Sequence, residues 1–219
     1  MLFVRWHPSR VAGYRMLCQE LGREYGVDAG AIDVTQMCGG CGSTLHGRPR
    51  VTKWPHRAAP FVSLARCDDM TVVAFSLVGP VGVDVERRRA AGFEGFPGVV
   101  LHPAERAQGV GQQTRTWVRK ESLLKATGQG LSVDPAGIRL SEPGAPPALL
   151  AWEAADPPTS AAWLYDVDAG AGHALAVTVL APTRPELMPQ PAAPAAPAST
   201  AIGRRTPPAP DQRAPRRGR

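Results

Sequence analysis

The 219-residue sequence predicts an α+β fold, and three observations carry that expectation. Residues 11–25 place Met16, Leu17 and Leu21 at helical spacing, with Gly26 as a stop. Residues 70–86 are rich in β-formers and are split by Gly79-Pro80 into two strands, 70–78 and 81–86. Residues 114–126 return to helical spacing and end at Thr127-Gly128-Gln129-Gly130, where the glycines read as a helix stop rather than a phosphate cradle. A hydrophobic content of 43% allows a sizeable core, in one large domain or two small ones.

The remaining elements follow in order. Between 38 and 60, glycines, prolines and basic residues predict a loop. After the strand at 81–86, Arg87-Arg88-Arg89 opens a glycine-rich passage, read either as a solvated loop or as a grip on an acidic partner. Pro103-Ala104-Glu105-Arg106 reads as a short helix start with Glu105 in its first turn. Residues 131–140 are a candidate strand, 143–147 a turn, and Trp152 and Trp163-Leu164-Tyr165 belong to later strands. Residues 173–180 close the ordered part as a buried strand, with His173 structural.

The net charge of +6 invites a nucleic-acid reading, but its placement removes it. From 183 to 219 there are seven arginines and two acids, so this tail holds +5 and the rest is almost neutral. Repeated Pro and Ala make residues 183–219 a disordered tail by expectation. The apolar start at 1–4 is too short for a secretory signal and no stretch suits a bilayer span, so the cytoplasm is the expected compartment. The four cysteines are then reduced thiols. Cys38-Gly39-Gly40-Cys41 with His46 resembles half of a zinc site whose other half is missing, and a glycine turn is the plainer reading.

The chemistry concentrates in two motifs. In Gly82-Val83-Asp84-Val85-Glu86, strand alternation sends Val81, Val83 and Val85 to a core and Asp84 and Glu86 together to the opposite face. In Trp117-Val118-Arg119-Lys120-Glu121-Ser122-Leu123-Leu124-Lys125, helical spacing stacks Trp117, Glu121 and Lys125 on one stripe. Three carboxylates without histidine or cysteine suit a hard cation such as Mg²⁺, which shares its sphere with phosphates. Solvated strand acids and a helix-surface ion pair are the plain alternatives.

These motifs, with His46-Gly47-Arg48-Pro49, Phe61-Val62-Ser63-Leu64-Ala65-Arg66-Cys67 and Leu101-His102-Pro103-Ala104-Glu105-Arg106, resemble the 4′-phosphopantetheinyl transferases over about residues 10–180. The resemblance is closest to the two-lobed, Sfp-like branch. It implies two similar tandem α+β lobes related by pseudo-two-fold symmetry, at 1–79 and 80–182, with the active site in the cleft between them. The implied reaction moves the phosphopantetheine arm of coenzyme A to a serine of an apo acyl, peptidyl or aryl carrier domain, in polyketide or nonribosomal peptide biosynthesis, releasing adenosine 3′,5′-bisphosphate. Asp84, Glu86 and Glu121 would hold Mg²⁺. Glu121, or a water beside it, would take the serine proton, with Lys125 on the phosphate oxygens and Glu105 in support. Arg48, Arg66, Lys120 and Lys125 would bind coenzyme A, and Gly47 would let the backbone approach it. The enzyme would be a monomer, with neither nucleic acid nor membrane as partner.

The chain departs from the family pattern twice. Ala65-Arg66-Cys67 stands where relatives carry Ser-His-Ser or Ser-His-Thr, which weakens the expected nucleotide grip. The family's opening strand and helix precede the segment resembling Tyr14-Arg15-Met16-Leu17, so the expectation is either a first lobe abbreviated at its start or a start codon chosen downstream of the true one. Two other functions stay open: a module that binds carriers or coenzyme A without turnover, and a metal-dependent nuclease or phosphatase. Against the nuclease, Glu86 is followed by Arg87 and Arg88 instead of a lysine two residues on.

Overall fold

A computed structural model of the chain describes residues 1–7, 12–38, 41–45, 47–170 and 172–188. Its first sheet runs β11-β1-β5-β4, built from β1 (Leu2–His7), β4 (Phe61–Cys67), β5 (Met70–Ser76) and β11 (Leu187–Met188). β1 and β11 are parallel, and the other pairings are antiparallel. The second sheet runs β6-β10-β9 and is wholly antiparallel, from β6 (Val81–Arg87), β9 (Ala162–Val167) and β10 (His173–Leu180). Two hairpin-like pairs complete the strands, β2 (Asp33–Met37) with β3 (Arg48–Lys53) and β7 (Ile138–Leu140) with β8 (Leu149–Trp152).

Side-chain alternation explains how these layers close. On β1, Leu2 and Val4 face the second sheet and join Val72 and Ala74 against Val81, Val83, Val85, Leu175 and Val177. Phe3 points the other way and packs with Val73 and Phe75 beneath α1 (Gly13–Tyr25), whose Met16, Leu17 and Leu21 form its buried stripe. Every residue of β5 is therefore buried, which accounts for its continuous apolar run. On the far side of the second sheet lies α3 (Gly109–Thr127), with Leu123, Leu124 and Ala126 packed on Ile138, Leu140 and Leu164. A short α2 (Phe96–Val100) precedes it and covers Trp117.

Several sequence expectations are corrected. Residues 48–53 are not loop but strand β3, where Pro49 is tolerated because the two-stranded pair has only edges. Residues 131–140 contribute only the three-residue β7, preceded by single 3-10 turns. No helix starts at Pro103, since residues 102–105 form a turn and the next helix begins at Gly109. A strand at Leu2–His7 escaped the sequence pattern because Arg5 interrupts it, yet Arg5 is buried and paired with Glu24 at 3.2 Å. Residues 183–188, assigned to the tail, instead lie along the first sheet, with Tyr165 donating to the Pro185 carbonyl at 2.5 Å and β11 pairing with β1. The rest of the expected tail, 189–219, lies outside the described residues, as does His46 of the half zinc motif. Among the described residues no helix is long and apolar enough to cross a membrane.

Candidate metal and phosphate site

Gly82 brings the two motifs together. It shares a face of β6 with Asp84 and Glu86, and a Cβ there would lie 2.0 Å from the Ser122 carbonyl oxygen and 2.4 Å from Ala126 N. Only a glycine lets α3 lie this close to the strand. At the next position along that face, Lys125 Nζ donates to Asp84 Oδ1 at 2.6 Å and to the Val83 carbonyl at 3.2 Å. Ser122 and Thr178 hydroxyls meet at 2.7 Å alongside, which fixes the helix over β10 as well.

The electrostatics are those of crowded acids. Burial pushes the Asp84 carboxyl up from its ordinary value despite Lys125 beside it. Glu86 and Glu121 are also pushed up, first by burial and then by the negative charge of Asp84. One ammonium faces three carboxylates. Asp84 Oδ2 and Glu121 Oε1 are buried with no hydrogen-bond partner among the described residues, a costly arrangement for oxygens of this charge. An oxygen-preferring divalent cation satisfies both atoms and offsets the repulsion, so the donor set fits Mg²⁺. The three carboxylates are not gathered into a tight ligand set. Among the described residues, the group whose ligand atoms all lie within 4.8 Å of one another is a different one, Cys67, Asp69 and His173.

Lys125 also lines a cleft of about 580 Å³ between β3, β4 and the C-terminal end of α3, together with Arg48, Ser63, Gly128 and Ser132. Arg48 Nη2 is buried there without a hydrogen-bond partner among the described residues, and burial, then Arg50, lowers the pKa of its guanidinium. Gly128, at φ 80°, ends α3 against this group, and a Cβ on it would sit 3.3 Å from Arg48 Nη1. An unsatisfied guanidinium and an ammonium that already touches Asp84 thus face one cleft. That arrangement suits an anion bridging toward the carboxylates.

The other site residues predicted from sequence fall elsewhere. Arg66 is exposed on β4, against Gly13 and Tyr14 at the start of α1, and does not line the cleft. Gly47, at φ 115°, is demanded by the chain itself, because a Cβ would meet the Met37 carbonyl at 2.4 Å. Lys120 is fully buried, and its ammonium donates to Glu105 Oε2 at 2.6 Å and to the Val100, Pro135 and Ile138 carbonyls. It has no donor left for coenzyme A. Glu105 accepts from Lys120, His102 N and Leu140 N, so both of its carboxylate oxygens are engaged within the fold. One residue earlier than Glu121, Lys120 points about 100° away around the helix, toward α2 and β7. Arg87 pairs with Asp68 and Asp69, and Arg88 donates to the His173 carbonyl, so this basic run is partly engaged within the fold.

Sequence reasoning missed Ser63, whose hydroxyl accepts from Val83 N at 3.1 Å and ties β4 to β6 one residue before Asp84. It also missed Arg119, buried with a bidentate grip on Asp166 at 2.9 and 2.6 Å that anchors α3 to β9. No periodicity marks either residue, although Arg119 within the predicted helix was a visible candidate.

Comparison with known proteins adds a family likeness over part of the chain. No curated protein matches the chain. The family model described as the 4′-phosphopantetheinyl transferase superfamily matches residues 80–178, which run from the strand bearing Asp84 and Glu86, through the helix bearing Glu121 and Lys125, into β10. Arg48 and Arg66 lie before the matched segment. Over residues 80–178, somewhat under half of its length, the chain is therefore similar to the 4′-phosphopantetheinyl transferase superfamily.

Proposed function

We propose that the protein is an Mg²⁺-dependent transferase that carries the 4′-phosphopantetheine arm of coenzyme A to a serine of an apo carrier domain. The observation that carries this reading is the pair of buried oxygens without a hydrogen-bond partner among the described residues, Asp84 Oδ2 and Glu121 Oε1, joined through Lys125 to a cleft that holds the likewise unpartnered Arg48 Nη2. Asp84, Glu86 and Glu121 would hold the Mg²⁺, and the cation would supply electrostatic stabilisation to the negatively charged pyrophosphate. Arg48 and Lys125 grip phosphate oxygens from the cleft side. The serine oxygen forms a bond to the phosphorus bearing the pantetheine arm, and adenosine 3′,5′-bisphosphate leaves. Glu121, or a water beside it, takes the serine proton.

Two lobes, residues 1–79 and 80–182, are part of this reading. What supports them is one succession met twice: strand, helix, two-stranded pair, strand, strand, with sheet orders β1-β5-β4 and β6-β10-β9. A single chain then supplies both walls of the cleft, as the two-lobed, Sfp-like branch does, and a monomer suffices. Carrier domains of polyketide or nonribosomal peptide assembly in the cytoplasm are the intended substrates. The exposed position of Arg66, outside the cleft lining, favours a second reading in which coenzyme A is bound without turnover. Mass spectrometry separates the two. Incubation of apo carriers with the protein, coenzyme A and Mg²⁺ adds the phosphopantetheine mass to the carrier serine. Coenzyme A binding that leaves a panel of acyl, peptidyl and aryl carriers unmodified establishes the non-catalytic module instead.

A further inference from the structure

The group of ligand atoms that does lie within 4.8 Å is of a different chemical kind from the carboxylate set. Cys67 is the last residue of β4, Asp69 sits in the tight turn into β5, and His173 opens β10 opposite Arg87. Two elements of the first sheet and one of the second converge there. We propose that Cys67, Asp69 and His173 form a second cation site, for a thiolate-accepting divalent ion of the Zn²⁺ class, which ties the β4–β5 hairpin to β10.

The distances fit such an ion. Metal bonds of about 2.3 Å to sulfur and about 2.0 Å to nitrogen and oxygen set tetrahedral ligand atoms about 3.3–3.5 Å apart. Asp69 Oδ1 is 3.8 Å from Cys67 Sγ and 3.0 Å from His173 Nε2, so small side-chain shifts admit the metal between them. The carboxylate is already oriented. Arg87 Nη2 holds the other oxygen, Asp69 Oδ2, at 3.1 Å, which turns Oδ1 toward the thiol and the imidazole. Ligand type separates the two cation sites: oxygens alone favour Mg²⁺, whereas a thiolate with an imidazole selects Zn²⁺ or Co²⁺. On binding, the thiol releases its proton to solvent and the imidazole keeps its ring proton on Nδ1. Three protein ligands leave a fourth position for water. The two sheets meet here through apolar packing, the Ser63 bond and the ion pairs of Arg87 with Asp68 and Asp69, and the ion adds a staple across that seam.

Co²⁺ titration of the reduced full-length protein in Mg²⁺ buffer tests this. One equivalent produces thiolate-to-cobalt charge-transfer absorption and intense tetrahedral visible bands, which Zn²⁺ displaces, and Zn²⁺ raises the melting temperature. Cys67→Ser removes the charge-transfer band, and Asp69→Asn or His173→Ala weakens Co²⁺ binding by about 10- to 100-fold. The double variant Cys38→Ser, Cys41→Ser keeps the full spectrum. Folded wild-type protein without the bands overturns the proposal. So does a spectrum that survives Cys67→Ser, or one lost with Cys38 and Cys41, which places the metal at their turn. Carrier modification is not the readout, so the outcome is independent of the proposed reaction.

Discussion

The Gly82→Ala substitution tests the geometry on which the site depends. The new methyl group would stand 2.0 Å from the Ser122 carbonyl oxygen, where ordinary contact begins at 3.4 Å, and the opposing atom is helix backbone that no rotamer can move. Relief requires α3 to lift from β6 by about 1.4 Å, and overpacking of this kind costs about 2 kcal/mol. For a chain of this size that lowers the melting temperature by about 4–8 °C. The same displacement stretches the 2.6 Å contact between Lys125 Nζ and Asp84 Oδ1 beyond hydrogen-bonding range and withdraws Glu121 from its neighbours. Misplacing reacting groups by about 1 Å costs about 100-fold in rate, so transfer to a carrier falls by that order in protein that is still folded. Thermal melts and a carrier-modification time course measure the two effects separately. An alanine variant with wild-type melting temperature and rate refutes the idea that close helix–strand approach builds the site.

Three further outcomes are expected. Arg48→Ala raises KM for coenzyme A by about 10- to 100-fold, the worth of a charge-assisted phosphate bond, while Arg66→Ala has the smaller effect because it stands outside the cleft; the reverse ranking in steady-state kinetics contradicts the assignment. Because burial raises the folded-state pKa values of Asp84, Glu86 and Glu121, and the charge of Asp84 adds to the last two, the fold binds more protons there than the unfolded chain does. Their contribution to stability therefore falls as pH rises from the ordinary carboxylate value through the raised ones. In EDTA the melting temperature of wild-type protein declines across this interval more than that of Asp84→Asn, and Mg²⁺ flattens the difference; parallel profiles count against the crowded-acid account. Lys120→Met strands Glu105 as a buried charge and costs about 3–5 kcal/mol, with KM for coenzyme A unchanged in the folded protein. A raised KM without loss of stability restores Lys120 to the cofactor site.

How far the site could be read from sequence depended on whether residue type and period agreed. They agree at 81–86, where valines alternate with Gly82, Asp84 and Glu86, and the structure places both carboxylates on the face opposite the core. They agree again on α3 for Glu121 and Lys125. One residue away, the family resemblance implies coenzyme A binding for Lys120, whereas its burial rests on acceptors from Val100, Glu105, Pro135 and Ile138 that only the tertiary arrangement brings together. β3 was hidden by Pro49 and its basic residues, which an edge strand tolerates. β1 was hidden by Arg5, whose partners on α1 are invisible to local pattern. The Cys67, Asp69 and His173 cluster joins residues more than a hundred positions apart, a distance that no spacing rule reaches.

The central claim is that Asp84 and Glu121 bind the cation that enables phosphopantetheine transfer. Its most direct measurement is the transfer rate to an apo carrier as a function of Mg²⁺, followed by mass spectrometry for wild type, Asp84→Asn and Glu121→Gln. The account predicts wild-type transfer that stops in EDTA and returns with Mg²⁺. Each variant should be slower by about 100-fold or more, since the electrostatic stabilisation at stake is several kcal/mol, and Asp84→Asn should need more Mg²⁺. Wild-type rates in either variant, with the same Mg²⁺ dependence, would contradict it.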